Sequence, residues 1–303
     1  MAVPRPVRTV AALLILALTG VVVSRAILRQ TAGRVRQATI SLPPGVSFAS
    51  DPAEFSLSPD GRSLAVVLKG TGAAQIWTWE IDGVDARAIA GTDGVSSVPV
   101  WSPDGREIAF VSGGRLRRMP VDGGRIETIC SLADDATFDW GDDGTLLMAA
   151  GGNTPIQRVA ASAGGTIQQI STVYPDEQHR FPRFIPGLRR FLFFVASDEG
   201  RDGLWLGSLD GGRALRVVPH GVNGAVAGDV LAYPLDHLLV AQRFDPATAD
   251  FKGMPVTIAD HVRADPKSGR HAYAISSVNP VLVFQSDPDG SLRLIRNWTS
   301  LLE

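Results

Sequence analysis

FSLSPDGRSLAVV at residues 55–67 and VWSPDGREIAFV at residues 100–111 are two copies of one phrase. It returns, weakened, as FDWGDDGTLLMA at 138–149 and RFIPGLRRFLFFV at 183–195. Pro59, Pro103, Asp142 and Pro186 hold equivalent places and stand 44, 39 and 44 residues apart. That spacing is close to the period of roughly 40–45 residues of four-stranded propeller blades. Two eroded copies, GAVAGDVLAYP at 224–234 and YAISSVNPVLVFQ at 273–285, lose the turn residues but keep the apolar run, making six in all.

Each copy reads as strands. In SPDG, Pro presets φ at the first central turn position, Asp suits the second and Gly closes the reversal. The runs that follow (LAVVL, IAFV, LLMAA, FLFFV, VLAY, VLVF) are apolar throughout instead of alternating, as expected of strands covered on both faces. A third strand then runs into an Asp-Gly or Gly-Gly hairpin turn, as in IWTWEIDG (76–83) and LWLGSLDGG (204–212). A short fourth strand ends each unit. The expectation is an all-β, six-bladed propeller of four-stranded blades.

The chain resembles the TolB-like, WD-repeat-like propellers, especially those found C-terminal to bacterial serine/threonine kinase domains. The SPDGR phrase carries the likeness, together with residues 91–124, 179–194 and 240–262, and it extends from about Ile40 to Glu303. The kinase signatures themselves, a GxGxxG loop, a VAIK lysine, an HRD-type loop and DFG, do not occur in the sequence. Nor does a GxSxG nucleophile elbow.

Two domains are expected, residues 1–36 and 37–303. In the first, TVAALLILALTGVVVS (9–24) is a run of 16 uncharged residues between arginines, extendable to residue 28 if Arg25 snorkels. With no small-x-small cleavage site behind it, the run reads as an uncleaved transmembrane helix in preference to a cleaved signal. Arginines on both flanks nearly cancel the orientation bias; the resemblance implies that the propeller lies on the periplasmic side of the inner membrane. Residues 38–44 (ATISLPP) form a lone strand pattern, expected to clasp the last blade, which otherwise has only LRLIRNW (292–298) after its apolar run.

Beyond residue 36 the chain holds 23 basic and 31 acidic side chains, a net charge of −8. This argues against a nucleic-acid partner. One cysteine, Cys130, leaves no internal disulfide, and the five histidines show no HxH or HxxxH pairing, so neither metal nor cofactor is expected. The six tryptophans are read as strand residues packing between blades, with at most one or two lining the channel.

YPDEQHRFPR (174–183) interrupts the pattern just ahead of the fourth turn, where the chain crosses into an innermost strand beside the channel. Asp176, Glu177, His179, Arg180 and Arg183, with Tyr174 and Phe181, are the candidate ligand-binding residues of the channel mouth. The bland alternative is that His179 and Arg180 merely hydrogen-bond between adjacent blades. Two functions follow. One is a non-catalytic, membrane-anchored scaffold or sensor whose partner is an envelope protein, a peptide or a separately encoded kinase. The other is a propeller hydrolase or lyase with Asp176, Glu177 and His179 as acid and base.

Overall fold

The structure, a computed structural model, describes residues 34–83 and 85–303; the hydrophobic helix expected at 9–24 lies outside the described residues. Strand β1 (Arg36–Ile40) comes first in the chain but belongs to the last blade. The first blade comprises β2 (Ser47–Phe48), β3 (Phe55–Leu57), β4 (Ser63–Lys69), β5 (Gln75–Glu80) and β6 (Arg87–Ala88), with β2 and β3 sharing one edge of β4. The second is β7 (Val100–Trp101), β8 (Glu107–Val111), β9 (Arg115–Pro120) and β10 (Glu127–Ser131). The third is β11 (Thr137–Trp140), β12 (Thr145–Ala149), β13 (Gln157–Ala160) and β14 (Gln168–Gln169). The fourth is β15 (Glu177–Phe184), β16 (Arg190–Ser197), β17 (Gly203–Ser208) and β18 (Leu215–Pro219). The fifth is β19 (Ala225–Ala227), β20 (Val230–Leu235), β21 (Leu238–Asp245) and β22 (Asp250–Ala259). The sixth is β23 (Tyr273–Ile275), β24 (Val281–Gln285) and β25 (Leu292–Arg296), completed by β1.

The clasp strand pairs antiparallel with β25, Ala38 opposite Leu294. It begins at Arg36 and ends at Ile40, so residues 41–44 fall outside it. At the other end, LRLIRNW stops being a strand at Arg296. Asn297 takes a left-handed conformation (φ 58°) and starts a 3-10 turn, Trp298–Leu302. This departs from the expected strand placement of Trp298, whose indole is fully buried between the fifth and sixth blades.

Six apolar clusters hold the ring, and each is shared by two neighbouring blades. The second strands show why continuous apolar runs are needed. Leu64, Val66 and Leu68 of β4 face the sixth blade, whereas Ala65 and Val67 face the second, and all five are fully buried. Alternate residues therefore enter alternate seams. Six seams for six blades leave no open sheet face, and the clasp closes the sixth-blade sheet across the two chain ends.

The SPDG phrase acts as a turn. Asp60 accepts from the Ser58 hydroxyl at 2.6 Å and from Arg62 N–H at 3.0 Å, and Asp104 repeats this with Ser102 at 2.6 Å and Arg106 at 3.1 Å. Gly61 and Gly105, at φ +68° and +71°, close the two turns in the left-handed region.

Candidate functional site

Because each inner strand runs away from the preceding crossover and into its turn, the two ends of the channel are built from different segments. The turns surround a narrower end, where Trp101 and Trp140 line a cavity of about 310 Å³. The segments entering the inner strands surround a wider mouth of about 500 Å³, to which all six blades contribute. This mouth is the candidate site.

The fourth blade supplies Arg180, Phe181, Pro182 and Arg183. In a regular strand Arg180 and Arg183 would point to opposite faces, but the register slips between them: Arg180 lies opposite Phe194, and Arg183 opposite Leu192. The bulge is held open by Phe181, at φ 53°, whose N–H donates to Thr137 Oγ1 of the third blade at 2.9 Å. Both arginines thereby line the mouth, a common use of a bulge. Arg183 also meets Asp139 of β11 at 3.1 Å, and Phe184 N–H donates to the same carboxylate at 2.7 Å. Burial pushes the Asp139 carboxyl above the usual range, against the pull of Arg183 and that N–H.

Glu54 enters from the first blade, at the end of an excursion in which the chain leaves the edge of β4 between β2 and β3. Arg270 and Lys267 enter from a small hairpin ahead of β23. Asp265 ties that hairpin, accepting from Lys267 N–H and the Ser268 hydroxyl, each at 2.8 Å. Asn223, at the head of the fifth blade, steadies its base: its amide donates to His271 C=O and its Oδ1 accepts from His271 N–H, each at 2.9 Å. The Tyr273 hydroxyl donates to Asn223 C=O, and burial raises its pKa. Burial also raises the Glu54 carboxyl, opposed by the nearby charge of Arg270. The Arg270 guanidinium is drawn down by burial, against Glu54 and Asp265.

The candidates from YPDEQHRFPR therefore divide. Arg180 and Arg183 line the cavity; Asp176, Glu177 and His179 do not. The segment is itself the inner strand, which starts at Glu177. Glu177 and His179 are only 3% and 2% exposed and form a closed network. His179 Nε2 lies 3.5 Å from Glu177 Oε2, and Nδ1 lies 2.8 Å from Ser171 Oγ of the preceding crossover. Tyr174 N–H donates to Glu177 Oε2 at 3.1 Å. Arg201, in the loop between β16 and β17, pairs with Glu177 at 3.3 Å and Asp176 at 3.4 Å, and its guanidinium covers the Tyr174 ring at 4.5 Å. Burial lowers the His179 pKa, against the carboxylate of Glu177.

Sequence reading missed Glu54, Arg270, Tyr273 and Arg201. The first three share one signal, which is their place: each sits in or just ahead of an inner strand, the repeat column that the 174–183 segment also occupies. Among the described residues, no three His, Cys, Asp or Glu side chains gather as metal ligands, and no helix is long and apolar enough to cross a membrane.

Comparison with known proteins agrees with this architecture. The TolB from Acinetobacter baumannii is 13% identical with a TM-score of 0.56, over 72% of this chain and 55% of that one. The chain thus spans about half the length of that relative. A putative TolB from Agrobacterium tumefaciens is 17% identical with a TM-score of 0.56, over 80% and 89%. An oligogalacturonate lyase in complex with manganese is 11% identical with a TM-score of 0.55, over 89% and 98%. At these identities the structural likeness establishes the fold. The family likeness comes from the sequence, where the TolB beta propeller domain matches residues 25–227, about two thirds of the chain, and to that family this protein belongs.

Proposed function

We propose that this chain is a non-catalytic propeller, anchored in the inner membrane by residues 9–24, that offers its wide mouth to an envelope protein or peptide in a periplasm-like space as a scaffold or sensor. The observation that carries this reading is the mouth itself. All six blades contribute to a cavity of about 500 Å³ that mixes aromatic floor residues with converging charges, the size and lining usual for binding sites. Arg180 and Arg183 face the ligand, while Asp176, Glu177 and His179 set the crossover beneath them. The uncharged run of 16 residues supports the anchor, and the TolB relationship supports the periplasmic side. A separately encoded kinase is a further partner consistent with the resemblance.

A photo-crosslinking residue at Val98, in the mouth, tests this in cells. It should capture a discrete envelope protein that the same probe at Met254, 82% exposed on the outer edge of the fifth blade, does not. Arg180→Ala should abolish the capture. Equal capture at both positions, or none, would refute the reading.

Glu54 favours a second reading, a propeller hydrolase or lyase. A carboxyl raised by burial and set beside a guanidinium in a cavity has the character of a general acid or base. Turnover in a glycosidase, lactonase and lyase panel that disappears in Glu54→Gln would establish it.

A further inference from the structure

The charges around the wide mouth differ in whether they are already engaged. Asp134 accepts from the Ser96 hydroxyl at 2.8 Å and Gly114 N–H at 3.2 Å. Asp265 caps its own hairpin, and Asp139 is held by Arg183 and Phe184 N–H. These acids are occupied in building loops. Of the cations, Arg183 is taken by Asp139, but Arg180, Lys267 and Arg270 are not so engaged. Among the described residues, the charged groups of Arg270 and Lys267 have no carboxylate within 4.0 Å and make no hydrogen bond. Among the described residues, the Arg180 side chain hydrogen-bonds to the neutral amide of Gln178. The bulge at Phe181 and the Asp265 hairpin thus bring three guanidinium or ammonium groups to one cavity with no carboxylate in ion-pair contact with them among the described residues. Arg180 and Arg270 are half-buried, and partly desolvated cations are costly unless a partner arrives, whereas Lys267 is exposed.

Glu54 and Asp135 are the acids of the mouth whose side chains have no hydrogen-bond partner among the described residues; Asp135 is exposed to solvent, and Glu54, half-buried, does not reach ion-pair distance of Arg270. Where Glu54 is ionised it competes internally for the cations, although burial raises its pKa. Between the charges lie Phe138, Phe181 and Val98, apolar side chains suited to the alternating apolar groups of a peptide, and no tryptophan lines this end as a sugar-stacking platform.

Resting on the peptide-binding reading above, we propose that the wide mouth is selective for carboxylates: its ligand is an acidic peptide segment, whose carboxylates are received by Arg180, Arg270 and Lys267. A guanidinium receives a carboxylate through two parallel N–H bonds, so the two arginines dominate and Lys267 adds a point charge.

The test is fluorescence anisotropy on the full chain with three labelled pentapeptides, Glu-Leu-Glu-Leu-Glu and its Gln and Lys counterparts. The Glu peptide should bind at least about tenfold more tightly than the Gln peptide, weakening as salt is raised. Arg270→Gln and Arg180→Gln should each lose on the order of tenfold for the Glu peptide and leave the Gln peptide unchanged. Glu54→Gln should tighten Glu-peptide binding, a gain that a damaged fold does not produce. Equal binding of Glu and Gln peptides, preference for the Lys peptide, or no binding to any of them overturns the proposal. So does tighter, arginine-dependent binding of a tetragalacturonate, which would identify a uronate as the source of the carboxylate. Envelope-protein capture at Val98 that persists while the acidic peptides fail to bind would sink the carboxylate selectivity alone, whereas loss of that capture would sink the wider reading.

Discussion

Arg183 and Asp139 stand on the inner strands of neighbouring blades, joined by a 3.1 Å ion pair beside the channel. The same carboxylate takes Phe184 N–H at 2.7 Å, so one side chain fixes both the backbone of the fourth blade and the arginine that faces the mouth. Asp139→Ala removes both interactions at once. Since Arg183 keeps about a third of its side chain exposed, the expected loss is about 2–3 kcal/mol, below that of a fully buried pair. Asp139→Asn keeps one acceptor for Phe184 N–H and should cost less than half as much. Urea unfolding of the two variants checks the order, and equal losses would show that the pairing to Arg183 decides the matter and not the backbone bond.

The His179 network predicts how stability responds to acid. Burial holds the folded His179 pKa below its ordinary value of 6.5, so the folded chain resists a proton that the unfolded chain accepts. The stabilising contribution is therefore present above about pH 6.5 and is lost as pH falls from there through the lowered folded value. The melting temperature should drop between pH 7 and about pH 5, and His179→Gln should flatten part of that slope. His271, lowered by burial as well, accounts for a second part. A slope unchanged in both single variants would contradict the assignment.

Arg201 is the cation that makes the buried Glu177 tolerable. It reaches Glu177 at 3.3 Å and Asp176 at 3.4 Å, and it also stacks on Tyr174. Arg201→Met keeps the stem and removes the charge, leaving Glu177 buried with the Tyr174 N–H and a neutral imidazole. The expected cost is about 2–4 kcal/mol. Glu177→Gln combined with Arg201→Met should recover part of it, and a double-mutant cycle read by chemical denaturation measures the coupling. Additive losses would show that the two groups do not act together.

How much of this was legible follows from where each residue lies. Ser58, Asp60 and Gly61 carry their turn within four residues, so the blade count and the period could be read from local chemistry alone. The seams were legible too, because an apolar run without alternation has to be covered twice. The mouth was only half legible. Arg180 and Arg183 stood out because YPDEQHRFPR broke the repeat, but the bulge that turns both to one side depends on Thr137 in another blade. Glu54 and Arg270 lie at opposite ends of the chain and meet only because the ring closes. No spacing rule joins them. Asp176, Glu177 and His179 had the composition of a site, but Asp176 and Glu177 pair with Arg201, more than twenty residues downstream in a loop with no motif, and His179 is held by Glu177 and Ser171.

The clasp is the device that brings those two ends together, so its removal should affect the mouth as well as stability. Deleting residues 34–40 strips β1 from β25 and removes the bond from Arg293 to Thr39 Oγ1 at 3.1 Å. An edge of five residues is then exposed on the sixth blade. The melting temperature should fall by about 10 °C or more, at roughly 2–4 °C per kcal/mol for a domain of this size. Acidic-peptide affinity should fall with it, since Arg270 and Glu54 flank the seam being closed. An unchanged melting curve would mean that the three remaining strands of the sixth blade suffice.

Two glycines of one turn separate close approach from backbone freedom. A Cβ on Gly141 would lie 2.6 Å from the Phe184 ring, held in place by the Asp139 bond to its own N–H. Gly144, three residues on, sits at φ +74° with nothing within 4 Å of such a Cβ. Gly144→Ala therefore costs only left-handed backbone strain, about 1 kcal/mol. Gly141→Ala has to displace an aromatic ring packed between the third and fourth blades, an overpacking cost of about 2–3 kcal/mol. If the seam is as rigid as the Asp139–Phe184 bond implies, Phe184→Leu should rescue much of the Gly141→Ala loss and none of the Gly144→Ala loss. Thermal melts of the four variants decide it: failure of that selective rescue would mean that Phe184 moves aside freely, and the blade 3–4 seam would then not hold Arg183 at the mouth.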